Sequence, residues 1–360
     1  GQSFEPAWPF MSPYGTDCSS YSTPQAAKDI RRILERPAVA LACATVSPGE
    51  EVLILSPFWP LIRGIVTLHH GVPVEVPVLD AERPEDFVAA LSEHVSPSTA
   101  AIYLNTPNNP TGRVYSEAVL EAIAGFARDN DLWIWSDEVY EGIVFGGVAT
   151  SMGQVAPERT FSVYSFSKTY GMAGNRCGYI VGPTPEIMDS VRKATVHHYY
   201  SACTASQLAA AAVMERGQPW LTSAVQHYRE AGIRAANRLG VPHPEGGTFL
   251  FIDVSESLDD RGLQGFLEDC IDRGLILAPG SSCGQAFGGR RRHEPIYFFR
   301  HVAAAQEQGE FQKHVPRAAP GRRAQAEPCG QPLRGQKGSN EIQHVCGGDT
   351  RRDDDQGSNQ

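Results

Sequence analysis

The chain has 360 residues, 41% of them hydrophobic, and a formal net charge of −10 at pH 7. That length and composition allow one large core and a smaller satellite, and the acidic balance argues against nucleic acid or an anionic membrane as the main partner, because either needs Lys and Arg concentrated on one face. No apolar run approaches the roughly 20 residues of a spanning helix and the first residues lack the basic-then-apolar order of a signal peptide, so a cytoplasmic location is the default expectation.

The eight cysteines are scattered, with no CxxC pair of the kind metal sites use, and are expected to be reduced and structural. No metal is expected.

Along the chain, Val52 to Ile54 reads as a short apolar strand between the turns Ser47-Pro48-Gly49 and Ser56-Pro57. Pro60 to His69 reads as a helix. Val72 to Val78 is a strand that Pro73 and Pro77 confine to a sheet edge, and Ala100 to Leu104 is a further strand halted by the polar turn Asn105 to Gly112. The order to this point is strand, helix, strand, strand.

Ser116 caps a helix running to Asp129, with Val119, Leu120, Ile123 and Phe126 at helical spacing. Buried strands follow at Leu132 to Trp135, Thr160 to Tyr164 and Tyr179 to Val181. Alternating strands and helices with polar residues at strand ends describe an α/β sheet, and ligands of such sheets gather outside the carboxyl ends of the strands. Asn109, Asp137 and Ser165 to Lys168 all fall there. Ala205 to Leu239 is helical, and Gly246-Gly247-Thr248 leads into the strand Phe249 to Val254 and the helix Leu263 to Arg273.

Four regions are expected: an N-terminal segment over 1–35, a large domain over 36–204, a smaller α+β domain over 205–287, and a tail over 288–360. After Pro316 the tail has few large apolar residues among many Gly, Pro, Arg and Gln, and its excess of Lys and Arg reverses the sign of the body. It is expected to be disordered.

The richest stretch is Ser165-Phe166-Ser167-Lys168-Thr169-Tyr170-Gly171-Met172-Ala173-Gly174-Asn175-Arg176. A lysine just past a buried strand is partly desolvated, which lowers its pKa and frees the amine to form an imine with an aldehyde cofactor. Ser165 and Arg176 flank it with groups suited to a phosphate. Amine and phosphate clamp together suggest pyridoxal phosphate. In Ser136-Asp137-Glu138-Val139-Tyr140 a carboxylate at a strand end can pair with a protonated pyridine nitrogen, and the phenol of Tyr140 can reach the ring oxygen. Asn109, in its proline-rich turn, can touch cofactor and substrate carboxylate. Asp137 as a helix cap and Asn109 as a turn former are the plain structural uses of the same residues. His197, His198, Tyr199 and Tyr200 form a polar aromatic run best read as a pocket wall, since adjacent helical residues do not face one another.

NTPNNPTG, then SDEVYEG, then SFSKTYGMAGNRCGY, in this order and spacing, resemble the signature of class I/II pyridoxal-phosphate-dependent aminotransferases. The resemblance covers roughly residues 10 to 287. It implies fold type I, a mostly parallel central sheet flanked by helices with a smaller α+β C-terminal domain, and transfer of an amino group from an amino acid to a 2-oxo acid. It implies Lys168 as the Schiff-base lysine and proton shuttle, Asp137 on the pyridine nitrogen, Tyr140 and Asn109 on the ring oxygen, and Ser165 and Arg176 on the phosphate. Trp59 matches the aromatic that stacks on the ring. Tyr21 is similar to the tyrosine that reaches the neighbouring subunit's phosphate, so a homodimer is implied.

Two features depart from the family. The Gly-rich turn expected before Pro48-Gly49-Glu50-Glu51-Val52 is absent, as if residues were deleted near 33–40, and with it the backbone cradle for the phosphate. Pro295 stands where the family carries its substrate-carboxylate arginine, with Arg292 and Arg300 out of register on either side. A lyase or decarboxylase using the same lysine and aspartate, and an impaired relative that keeps the sheet without the chemistry, are the alternatives.

Overall fold

A computed structural model describes residues 33–34, 37–285 and 295–299, all within one compact unit. The elements are β1 (Ile33–Leu34), α1 (Pro37–Thr45), β2 (Glu51–Ser56), α2 (Leu61–Leu68), β3 (Val72–Pro77), α3 (Pro84–Ser92) and β4 (Thr99–Asn105). There follow α4 (Glu117–Asp129), β5 (Trp133–Asp137), α5 (Met152–Val155), β6 (Thr160–Ser165), α6 (Phe166–Thr169), β7 (Gly178–Val181) and α7 (Pro185–Tyr199). The remainder comprises α8 (Thr204–Arg216), α9 (Gln218–Leu239), β8 (Phe249–Asp253), α10 (Gly262–Asp272), β9 (Ala278–Pro279) and β10 (Pro295–Phe299).

Seven strands form one sheet in the order β1-β7-β6-β5-β4-β2-β3. β3, β2, β4, β5 and β6 run parallel, and β7 is antiparallel to β6. The parallel strands are near-continuous apolar runs because helices cover both faces: Leu53, Leu55, Ile102, Leu104 and Ile134 pack under α3 and α4, while Val52, Ile54, Tyr103, Trp135 and Phe161 pack under α1, α2 and α7. β3 lies at the edge, where its two prolines leave no ladder bond unmade. Among the described residues, no helix is long and apolar enough to cross a membrane.

Two expectations need correction. β3 and β4 are not consecutive elements, because α3 lies between them. Pro84 at its first turn, Glu85 and Asp86 beside it, and the Asp86 carboxylate accepting from Arg83 N at 2.9 Å are start signals, and Phe87 and Leu91 fill its buried stripe. The segment from 288 onward is not uniformly tail: β10 pairs antiparallel with β8 from Pro295↔Asp253 to Phe299↔Phe249, and with β9, in a three-stranded sheet. A strand of that length, placed between two others, satisfies its backbone groups whatever the composition that follows. Residues 286–294 and 300–360 lie outside the described residues, as does Tyr21.

α4 begins where the sequence places it, with Ser116 Oγ accepting from Val119 N at 3.4 Å. The turn after β4 is fixed against the small sheet: Gly112, at φ +72°, donates to Asn108 O and accepts from Glu245 N and Gly246 N, each at 2.9 Å. A Cβ there would lie 3.0 Å from Pro244 Cβ and 3.2 Å from two backbone oxygens, so only glycine fits without a shift.

Candidate active site

β4, β5 and β6 end side by side, and their ends deliver Asn105, Asp137 and Ser165 to one edge of the sheet. The register sets Asn105 directly opposite Asp137. Asp137 is 8% exposed, and Tyr103 donates its hydroxyl to Asp137 Oδ2 at 2.7 Å. Tyr103 and Asn105 occupy the same face of β4, so the phenol is a diagonal neighbour of the carboxylate. Burial raises the Asp137 carboxyl to about 6, while the Tyr103 hydroxyl and Val139 N–H stabilise the charged form and Lys168 adds a weaker favourable charge.

Lys168 sits in α6, the single turn that follows β6. Burial and the Arg176 guanidinium hold its amine below the ordinary lysine value, and Asp137 opposes them. An amine so placed between a cation and a carboxylate deprotonates more readily than a surface lysine.

Asn109 is buried and oriented through Asn105, whose Oδ1 accepts from Asn109 N at 2.6 Å and whose Nδ2 donates to Asp137 O at 2.7 Å. Among the described residues, the side-chain oxygen of Asn109 has no hydrogen-bond partner. Tyr140 is 2% exposed and meets Phe249 of the small sheet edge to face. Trp59, just past the end of β2, is half-buried against the α1 cluster. Ser165 caps α6, its Oγ accepting from Ser167 N at 3.1 Å.

Arg176 is exposed, adopts a left-handed φ of +50°, and donates Nη1 to Ala173 O at 2.8 Å, while its charge acts on Lys168. Arg292 and Arg300 lie outside the described residues.

Two residues escaped the reading of the sequence. Tyr103 looked like one more apolar strand position, and Asn105 like part of the turn. Their shared face with each other, and the register against Asp137, are the signals that find them.

Residues 35–293 match the family model described as aminotransferase class I and II. The chain belongs to that family. An aspartate/prephenate aminotransferase of Thermus thermophilus is 33% identical over 254 residues, covering 68% of this chain and 65% of the relative. Aromatic-amino-acid aminotransferase 2 of Thermococcus litoralis is 36% identical over 255 residues, covering 66% of this chain and 63% of the relative. The chain therefore spans a little under two thirds of the length of these curated relatives. Among solved structures, a tetra mutant of Thermus thermophilus aspartate aminotransferase complexed with tryptophan superposes with a TM-score of 0.67 at 27% identity, covering 81% of this chain and 79% of that one. N-succinyldiaminopimelate aminotransferase of Mycobacterium tuberculosis gives 0.66 at 27% identity, covering 74% and 72%. The fold is thus fold type I.

Proposed function

We propose that this chain is a pyridoxal-phosphate-dependent aminotransferase that moves an amino group from an amino acid to a 2-oxo acid, with Lys168 holding the cofactor. The observation that carries the reading is the juxtaposition of a desolvated Lys168 with the buried, under-donated Asp137 at one sheet edge.

The residues fit the group on one further structural ground: the orphaned, buried Oδ1 of Asn109 is a polar atom in want of a partner. When bound, pyridoxal phosphate supplies the electron sink that makes an amino acid's α-proton acidic. Asp137, ionised at neutral pH, holds the proton of the pyridine nitrogen. Tyr140 and Asn109 would hydrogen-bond the ring oxygen, Trp59 would cover a ring face, and Ser165 would hold the phosphate together with Arg176 once its guanidinium leaves Ala173 O. Lys168 Nζ, with its lowered pKa, takes the α-proton and returns it. Asn109 would also meet the substrate carboxylate. By the family resemblance, Tyr21 of a second copy would complete the phosphate site in a homodimer.

A second reading, an impaired relative with weak cofactor affinity, has its own observation: the Arg176 guanidinium folds back on Ala173 O, and the stretch Ile33-Leu34-Glu35-Arg36-Pro37 leading into α1 has no glycine to build a cradle. A titration with pyridoxal phosphate, followed by visible spectroscopy and borohydride reduction of wild type and Lys168→Ala, separates the two. A chromophore locked onto Lys168 establishes the cofactor site. Absence of any bound chromophore overturns it in favour of the impaired relative. Product analysis with an amino acid and a 2-oxo acid then tells transfer from decarboxylation.

A further inference from the structure

Away from that edge, three segments bring together side chains that neither motif nor spacing connects. Cys43 lies in α1, His69 caps the C-terminus of α2, and His198 lies in the last turn of α7. α1 packs against both other helices, and one ligand atom from each of the three residues lies within 4.8 Å of the other two. The His69 and His198 rings meet edge to face, centroids 5.5 Å apart at 64°. Among the described residues, His69 Nε2 is buried without a hydrogen-bond partner, and Cys43 is an exposed free thiol.

One thiol and two imidazoles form a soft-to-borderline donor set, with no carboxylate among them to favour Mg²⁺ or Ca²⁺. A tetrahedral zinc with Zn–S of about 2.3 Å and Zn–N of about 2.0 Å needs its donors about 3.5 Å apart. Rotamer changes of Cys43 and His198, both exposed, would have to close the remaining distance. An imidazole ligates through the ring nitrogen that carries no proton, and the buried Nε2 of His69 is the atom available for this.

We propose that Cys43, His69 and His198 bind a divalent cation of zinc's class, with water in the fourth position, and so staple α1, α2 and α7 together. Binding forms one metal–sulfur and two metal–nitrogen bonds; the Cys43 thiol releases its proton to solvent and nothing is oxidised or reduced. Gly49 N, just before β2, donates to His70 O at 2.9 Å, which puts this cluster at the amino edge of the sheet, opposite Asp137 and Lys168. Its effect is therefore on stability and not on amine chemistry.

The test is a titration of the chelator-stripped full chain with Zn²⁺ against a chromophoric competitor, repeated with Co²⁺, on wild type, Cys43→Ser and His198→Gln. Wild type is expected to take up one equivalent that each variant loses, to show a single-thiolate charge-transfer band with Co²⁺ that Cys43→Ser lacks, and to gain thermal midpoint on adding Zn²⁺ where the variants do not. Cys43 and His198 are exposed, so both variants should fold, and the Co²⁺ spectrum of wild type stands without them. No uptake by wild type, or equal uptake by all three proteins, overturns the site; uptake without a rise in midpoint overturns the staple.

Discussion

Asp137 and Glu138 are neighbours at the end of β5 and both are buried, yet the chain treats them in opposite ways. Glu138 Oε1 accepts from Ser136 Oγ at 2.8 Å, Ser151 Oγ at 3.1 Å, Met152 N at 3.1 Å and Ser162 Oγ at 3.2 Å, and Oε2 accepts from Tyr164 OH at 3.0 Å. Asp137 has the Tyr103 hydroxyl and one long contact from Val139 N at 3.4 Å. Burial pushes both carboxyls up, but Glu138 has donors on every side while Asp137 keeps acceptor capacity for something else. A buried carboxylate that the protein satisfies by itself is a structural anchor, and one left under-donated is a binding group.

The largest expected effect breaks the anchor. Glu138→Ala strands three hydroxyls of serine, one of tyrosine and a backbone N–H, and should destabilise the chain by about 3–5 kcal/mol, as removal of one partner from a buried charged network does. Urea unfolding measures it. A loss no greater than that of Asp137→Ala would erase the distinction between the two residues.

On the other side of the comparison, Asp137→Asn keeps shape and burial but exchanges a carboxylate for an amide. We expect the variant to fold and its amino-transfer turnover to fall by about 10²–10³-fold, the scale of losing one preorganised electrostatic partner. Steady-state rates with an amino acid and a 2-oxo acid give the answer, and an unchanged rate would remove Asp137 from the site.

The same carboxyl sharpens the contrast through pH. In the cofactor-free chain burial raises Asp137 to about 6, above an unfolded value of about 3.9. Between those values the folded chain binds more protons than the unfolded one, so the contribution of Asp137 to stability falls as pH rises from about 4 to about 6, by about 3 kcal/mol over the whole window. Denaturant midpoints across that range should decline more steeply in wild type than in Asp137→Asn, whose remaining decline comes from Glu138 and Glu141, carboxyls that burial also raises. A decline of the same slope in both would assign it to other groups.

Only the Asp137 half of this contrast is legible in the sequence; the Glu138 half is not, because its donors Ser151, Met152, Ser162 and Tyr164 come from other segments. The strand-end positions of Asn109, Asp137 and Lys168 follow from apolar runs that stop at polar turns, a local pattern. α3 was hidden because its buried stripe of Phe87 and Leu91 is short and follows a proline-flanked edge strand. β10 was hidden because composition after Pro316 colours the reading of residues before it, whereas strand pairing is decided by β8 and β9 on either side. The trio of Cys43, His69 and His198 joins residues from three segments, and no period in one chain segment reports a contact between segments. Tyr103 belongs to the same class: its role depends on a neighbouring strand's register.

Tyr103→Phe is the smallest change and the most specific test of how Asp137 is tuned. It deletes one oxygen from a fully packed ring, so the core keeps its shape, and the lost hydrogen bond to a charged acceptor should lower stability by about 1–2 kcal/mol at neutral pH. The Tyr103 hydroxyl stabilises the ionised form of Asp137. Without it the carboxyl moves further above about 6, and the acid limb of cofactor loading, which requires the carboxylate to meet a protonated ring nitrogen, moves to higher pH. A merely structural Tyr103 would lower stability and leave that limb where it is. Loading curves of wild type and Tyr103→Phe against pH, read from the bound chromophore, therefore separate a tuning hydroxyl from a packing ring, and coincident limbs would reduce Tyr103 to the latter.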